Sequence, residues 1–175
     1  PGDLAGYLAQ RPLDARQIRF VGDPADFARL FADVGPPHTV IGACSTSYLW
    51  STKPADNVAD VHPEARILAV LRNPVERAHS HWLMARKYGF TRLSLLEAVQ
   101  QDMAHPDPSW GRSELFVQAG LYAEGLGRSL ARFPQDQVKV LLNEELNQPE
   151  TWAGLESWLG LESAIPEVEG NSGNP

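Results

Sequence analysis

Apolar residues along the chain alternate between short continuous runs and spacings of three and four. The continuous runs predict strands over residues 17–21 (QIRFV), 39–42, 67–71 (ILAVL) and 138–142 (VKVLL). The run at 67–71 is apolar at every position, which is typical of a strand buried on both faces. Helical spacing and helix-start residues predict helices over residues 4–10, 23–34, 55–61, 74–87, 93–103, 114–133 and 149–159. This alternation predicts an α/β fold in which helices cover both faces of a parallel sheet.

The predicted helix over residues 114–133 has an apolar stripe and three internal glycines. The stripe comprises Leu115, Ala119, Tyr122, Leu126, Leu130 and Phe133. Gly120, Gly125 and Gly127 lie within the same segment, and each lowers helix stability by up to roughly 1 kcal/mol relative to Ala. Glycines at these positions indicate close packing against a neighbour or a break in the helix.

The composition is that of a globular domain and excludes several classes of protein. The chain has 175 residues, 43% of them hydrophobic, which suits one domain and excludes disorder of the whole chain. Its net charge of −7 argues against general nucleic-acid binding, which needs clustered Lys and Arg. Cys44 is the only cysteine, so no intrachain disulfide or Cys-based zinc cage can form, and a reducing, cytoplasmic compartment is predicted. No run approaches the roughly 20 apolar residues of a membrane span.

The segment 67–82 (ILAVLRNPVERAHSHW) combines groups that suit the binding of an anion. Arg72 directly follows the predicted strand, at the edge of a parallel sheet where ligands bind. The pair Asn73-Pro74 suits the start of a helix, whose free N–H groups and dipole attract anions. Ser80 lies seven residues after Asn73, close to two helical turns, and therefore on the same face. A guanidinium, a hydroxyl and free amides together predict a phosphate site.

A simpler interpretation of this segment stays open. Asn-Pro is a common helix start without any ligand. Arg77 lies one turn from both Asn73 and Ser80. It is a further phosphate ligand, a solvated side chain, or a partner of residues near Glu76. His79 and His81 flank Ser80 at a spacing of two, which directs them to different sides of a helix. A shared metal ion is therefore not predicted.

The motif R-N-P-x-x-R-A-x-S after a strand resembles the 3′-phosphate-binding segment of sulfotransferases that use 3′-phosphoadenosine 5′-phosphosulfate (PAPS). The resemblance implies a P-loop-type α/β fold, PAPS as sulfuryl donor without a metal, and transfer to a hydroxyl or amine. In that family the strand-end arginine and the helix serine bind the 3′-phosphate, and the matching residues are Arg72 and Ser80. A P-loop kinase that uses ATP fits less well, since no G-x-x-x-x-G-K-[ST] motif is visible.

Further segments extend the resemblance over about residues 4–150. Residues 41–49 (IGACSTSYL) look like the family's G-E-x-S-x-x-Y-L segment. Residues 120–122 (GLY) and 138–146 (VKVLLNEEL) resemble parts of a later region. The match favours the bacterial and carbohydrate-type branch and implies a small-molecule or carbohydrate acceptor. It also places residues 45–47 near the active cleft, where their hydroxyls either form a polar turn or contact a ligand.

Three departures from the family pattern bear on activity. The 5′-phosphosulfate loop of the family, K-x-G-T-T/S, is expected at and before residues 1–3, and it is either cut off or degenerate here. The chain is therefore predicted to be one sulfotransferase-like domain over residues 1–175, without an intact loop of this kind and without a C-terminal segment. Gln17 stands where the heparan-type branch has a glutamate that deprotonates the acceptor, and an amide cannot take up that proton. Ala43 replaces the glutamate of G-E-x-S. The alternative to an active enzyme is therefore an impaired domain that only binds nucleotide or keeps the fold.

Overall fold

The computed structural model describes residues 23–36, 38–105 and 114–162. They divide into two compact units, one ending at Gly42 and the other beginning at Ala43. The helix predicted at 4–10 and the strand predicted at 17–21 lie outside the described residues. The single domain predicted over 1–175 stays a prediction.

The first unit contains helix α1 (Pro24–Arg29). Asp23 caps this helix, because its carboxylate accepts a hydrogen bond from the Ala25 N–H at 2.8 Å. The predicted extension of the helix to Val34 is wrong, since the following N–H groups bond three residues back, in the tighter geometry typical of a helix end. The strand predicted over 39–42 is also wrong, because these residues have no regular structure. An apolar run forms a strand only where a partner strand takes up its hydrogen bonds.

The second unit contains the parallel strands and the other described helices. In chain order the elements are α2 (Ser47–Trp50), α3 (Pro54–Val61), β1 (Ile67–Leu71), α4 (Pro74–Lys87), α5 (Leu95–Met103), α6 (Tyr122–Arg132), β2 (Val138–Leu142) and α7 (Pro149–Leu159), with 3₁₀ turns at Gln118–Gly120, Gln135–Gln137 and Asn143–Asn147. The predictions from α3 onward are confirmed within one or two residues, apart from the long helix over 114–133. Helix α5 begins at Leu95 because Ser94 and Glu97 form a capping box. None of the helices in the described ranges is long and apolar enough to cross a membrane.

Strands β1 and β2 pair in parallel, which confirms the predicted α/β class. Their register runs from Ile67 opposite Val138 to Leu71 opposite Leu142. The prediction that β1 is buried on both faces is wrong: Ala69 is buried, whereas Leu68 and Val70 are 41% and 47% exposed. An apolar run identifies a strand, but burial depends on which elements cover each face.

The helix predicted over 114–133 is interrupted, and α6 begins only at Tyr122. A 3₁₀ turn occupies Gln118–Gly120 and precedes the break. A Cβ added at Gly120 would lie 3.3 Å from the Cβ of Pro74, so the glycine allows this turn to approach the start of α4. The glycines predicted either a break in the helix or close packing, and the break is therefore confirmed.

The predicted close packing is also confirmed, at Gly125. A Cβ added there would overlap the backbone oxygen of Leu49 and lie 2.9 Å from Leu49 Cδ1. Gly125 and Ser129 form the buried face of α6. Leu130, which was predicted to be part of the buried stripe, is 51% exposed. The buried face of α6 is therefore the one with small residues, which let α2 approach, rather than the one with the largest apolar residues.

Two arginines of α6 bind the helices that precede β1. Arg128 Nη2 donates to the last two backbone carbonyls of α2, at 3.1 and 3.0 Å. Arg132 Nη2 donates to the Asp60 carboxylate at 2.6 Å, and Arg132 Nε lies 3.3 Å from the Asp56 carboxylate. Helix α6 is therefore bonded to both α2 and α3.

Helices α4 and α5 pack through a small apolar core of Ala85, Ala98 and Phe116. Phe116 is 1% exposed. Trp82 adds a polar bond to this contact, because its indole N–H donates to the Leu93 carbonyl at 3.0 Å. The core therefore holds α4, which follows Arg72, against α5.

Candidate functional site

Arg72 stands at the carboxyl end of β1, as the sequence predicts. Its backbone carbonyl accepts a hydrogen bond from the Tyr122 hydroxyl at 3.1 Å. Tyr122 is the first residue of α6, so this bond ties the strand end to another helix. The Arg72 side chain is 41% exposed, which leaves the guanidinium accessible to a ligand.

Helix α4 begins as predicted, with Asn73 as N-cap and Pro74 as first residue. The Asn73 side-chain oxygen accepts hydrogen bonds from the N–H groups of Val75 (3.0 Å) and Glu76 (3.4 Å). The prediction of free amides at this end is therefore wrong, because the cap already bonds two of them and proline has none. The positive charge available to an anion comes from Arg72 and from the helix dipole.

The side chain of Arg72, at the end of β1, contacts Ser80 in α4. Arg72 Nη1 donates to Ser80 Oγ at 3.1 Å, so the two residues that the motif assigns to one phosphate lie in direct contact. Glu76 also contacts Arg72, since its Oε2 is 3.3 Å from Arg72 Nε and 3.2 Å from Nη2. All three guanidinium nitrogens are thus directed at the first two turns of α4. This geometry brings a positive charge and a hydroxyl to one point, where an oxyanion can contact both. The role of both residues in phosphate binding stays a prediction.

Arg77 does not join this group. Its Nη2 donates to the backbone carbonyl of Phe116, and its Nη1 lies 3.4 Å from His81 Nδ1. Burial lowers the pKa of Arg77 below its ordinary value, while the neighbouring Tyr122 and Asp102 act in the opposite direction. The interpretations of Arg77 as a phosphate ligand and as a solvated side chain are therefore wrong. The reason is that the carbonyl of the buried residue Phe116, far along the chain, accepts a hydrogen bond from the Arg77 guanidinium.

A buried carboxylate that the sequence analysis missed holds the turn before α6. Asp102 is 4% exposed, and its Oδ2 accepts hydrogen bonds from the N–H groups of Val117 (2.6 Å) and Gln118 (3.1 Å). A negatively charged side chain in the last turn of a helix interacts unfavourably with the negative end of the helix dipole. The position of Asp102 near the end of α5 was therefore the signal that could have pointed to a partner outside the helix.

Tyr122→Phe is expected to lower the free energy of unfolding by about 1 kcal/mol, because the Arg72 carbonyl loses its hydroxyl donor while the ring remains. Urea unfolding followed by circular dichroism measures the change. Tyr88→Phe is the matched control, since Tyr88 is 63% exposed and loss of its hydroxyl is expected to change stability by less than about 0.5 kcal/mol. Equal stability of Tyr122→Phe and the wild type would show that this bond does not hold the strand end.

Residues 43–46, which precede α2, are exposed. Ser45 Oγ and Ser47 Oγ lie 2.8 Å apart, which is the polar turn that the sequence allowed; contact with a ligand stays a prediction. Cys44 is a free, exposed thiol, and Ala43 is exposed as well. Gln17 lies outside the described residues, so its place beside an acceptor also stays a prediction.

The two histidines that flank Ser80 contact different neighbours. His79 stacks on Trp82 with 5.9 Å between ring centroids, and His81 packs edge-on against Phe116 at 4.9 Å. They therefore point apart, as their spacing predicts. Across the ranges that the structure describes, no group of three or more His, Cys, Asp or Glu side chains is placed to hold a metal ion.

Comparison with known structures defines the class of the fold. The structure is similar to the crystal structure of a sulfotransferase from Alicyclobacillus acidocaldarius, with a TM-score of 0.73 and 29% sequence identity. The match covers 84% of this chain and 60% of that one, so this chain spans less than two thirds of that protein. No protein-family model and no curated protein matches the chain. The chain thus has a sulfotransferase-like α/β fold of the P-loop-like kind.

Proposed function

We propose that the protein is a sulfotransferase that moves a sulfuryl group from PAPS to a hydroxyl or amine of an acceptor. The sulfotransferase-like fold supports this proposal, with 29% identity to a bacterial sulfotransferase over most of the chain. The observation that carries it is the 3.1 Å contact between Arg72 and Ser80 at the end of β1. This contact joins the two residues that the sequence motif assigns to a single phosphate group.

In this proposal Arg72 and Ser80 hold the 3′-phosphate and fix the position of the nucleotide. A guanidinium and a hydroxyl can bond different oxygens of one phosphate, and the contact between Nη1 and Oγ keeps both within its reach. The N-terminus of α4 adds positive potential at the same point. PAPS supplies the activated sulfuryl group when it is bound. The residues that bind its remote phosphate contribute by orienting the reacting atoms.

A second candidate function is a domain that binds the nucleotide without efficient transfer. Two residues favour it: Gln17 and Ala43 stand where the sulfotransferase family that the sequence resembles carries carboxylates. A glutamine cannot accept the proton of an acceptor hydroxyl, so a base at this position is missing. The two candidates share the phosphate site at Arg72 and differ only in turnover.

We extend the proposal to the acceptor and the compartment. The acceptor is a small molecule or a carbohydrate, because the sequence match favours the carbohydrate-type branch and the net charge of −7 disfavours nucleic acid. The compartment is the reducing cytoplasm, because the only cysteine, Cys44, is a free and exposed thiol.

Calorimetric titration of the full-length protein tests the phosphate site. Wild type is expected to bind adenosine 3′,5′-bisphosphate more tightly than adenosine 5′-monophosphate, and Arg72→Ala is expected to lose that preference. Loss of a charge-assisted contact lowers affinity by roughly 1.5–3 kcal/mol, or about 10- to 150-fold. Arg92→Ala, an exposed arginine beyond the far end of α4, is the control and is expected to bind as wild type. Equal affinity of wild type for both nucleotides would overturn the assignment.

A further inference from the structure

The Arg72 guanidinium already has an anionic partner within its own chain. Glu76 Oε2 lies 3.3 Å from Arg72 Nε and 3.2 Å from Nη2. The third nitrogen, Nη1, bonds Ser80. The carboxylate thus occupies two of the three nitrogens through which the side chain would bind a phosphate.

We propose that Glu76 is an internal competitor for Arg72, which an incoming phosphate must displace. The proposal rests on the function proposed above and adds a residue that sets the affinity and charge selectivity of the same site. The carboxylate holds the guanidinium while no phosphate is bound. It also remains on α4, beside the bound phosphate, after it has been displaced.

The exposure of the pair makes this exchange feasible. The side chains of Arg72 and Glu76 are 41% and 57% exposed, and ion pairs as accessible as this contribute little to stability because water screens them. A phosphate dianion forms stronger, charge-assisted hydrogen bonds with a guanidinium than a single carboxylate does. A dianion can therefore replace Glu76, whereas a monoanion of similar size has no such advantage.

Two effects of Glu76 oppose phosphate binding, and both depend on its charge. The Arg72–Glu76 bonds must break first, and the displaced carboxylate then repels the phosphate at short range. The opposite role is also conceivable on geometric grounds: Glu76 could hold Arg72 in the orientation that binds phosphate. The two roles predict opposite changes in the affinity for the bisphosphate when the charge of Glu76 is removed with little change of its shape.

Glu76→Gln therefore tests the inference in the full-length protein. Calorimetry is expected to show that it binds adenosine 3′,5′-bisphosphate about three- to tenfold more tightly than wild type. Its affinity for adenosine 5′-monophosphate, which lacks the 3′ group, is expected to be unchanged. The gain is expected to shrink as ionic strength rises, which a purely structural effect would not do.

Glu150→Gln is the matched control. Glu76 and Glu150 both lie in the first turn of a helix that begins with proline, and both are exposed. Each substitution removes one negative charge from such a turn, so the loss of interaction with the helix dipole is similar. Only Glu76→Gln is expected to change the affinity for the bisphosphate.

The outcomes separate this inference from the proposed function. Unchanged or weaker bisphosphate binding by Glu76→Gln, together with weaker binding by Arg72→Ala, would overturn the competitor role and leave the phosphate site in place. Bisphosphate affinity that neither substitution alters would overturn both. If Glu76→Gln binds the bisphosphate more tightly than wild type and binds the monophosphate equally well, the result supports both the competitor role and the phosphate site.

Discussion

Gly125→Ala is expected to lower the free energy of unfolding by about 3 kcal/mol, because it forces α6 away from α2. The added methyl group would overlap the backbone oxygen of Leu49, and a backbone atom cannot rotate out of the way as a side chain can. The same Leu49 carbonyl accepts a hydrogen bond from Arg128. Separation of the helices would therefore weaken that bond as well. Urea or thermal unfolding followed by circular dichroism measures the loss.

Gly127→Ala is the control on the same helix. A Cβ added at Gly127 meets nothing within 4 Å, and Ala is the better helix former by up to roughly 1 kcal/mol. This variant is therefore expected to be as stable as wild type or more stable. Equal effects of the two substitutions would contradict the close approach of α2 and α6.

Gln17→Glu is expected to raise sulfuryl transfer by about 10²- to 10⁴-fold, the usual contribution of a general base. The expectation rests on the match of RQIRFV to the family segment in which glutamate takes the proton of the acceptor hydroxyl. The assay is PAPS-dependent transfer to a panel of sugar and phenol hydroxyls, by a protein that includes the upstream 5′-phosphosulfate loop and so has an intact cofactor site. The gained turnover should fall as the pH drops through the ordinary Glu pKa of about 4.3, because a protonated carboxyl cannot accept a second proton.

Gln17→Ala separates a new base from the mere loss of the amide. It is expected to show no gain, because it introduces no proton acceptor. Strong wild-type turnover that Gln17→Glu leaves unaltered would show that another group is the base. Absence of turnover in all three proteins, with bisphosphate binding intact, would favour the domain that only binds nucleotide.

The residues around Arg72 could be predicted from the sequence because the structure that positions them is local. The end of a strand, the Asn73 cap and the two-turn spacing to Ser80 are all set within a short segment with a strong pattern. The partner of Arg72 at Glu76 was within reach of the same reasoning. It lies four residues after Arg72, a separation at which side chains readily meet near a helix start.

The contacts that the sequence did not predict join residues that are distant along the chain. Arg77 bonds the Phe116 carbonyl 39 residues away, and Asp102 bonds the Val117 amide 15 residues away. Periodicity describes which face of an element is apolar, but it does not state which other element meets that face. For the same reason the glycines indicated a break or close packing without naming the neighbour.

Because α2 and α6 are in close contact, we expect the two helices to open together as one cooperative unit of local unfolding. Helix α2 has only four residues, which is too short to persist by itself. Its order therefore depends on Gly125 and Arg128, and opening of α6 exposes the amides of α2 to exchange at the same time. Because α6 begins at Tyr122, whose hydroxyl bonds the Arg72 carbonyl, the same fluctuation reaches the end of β1.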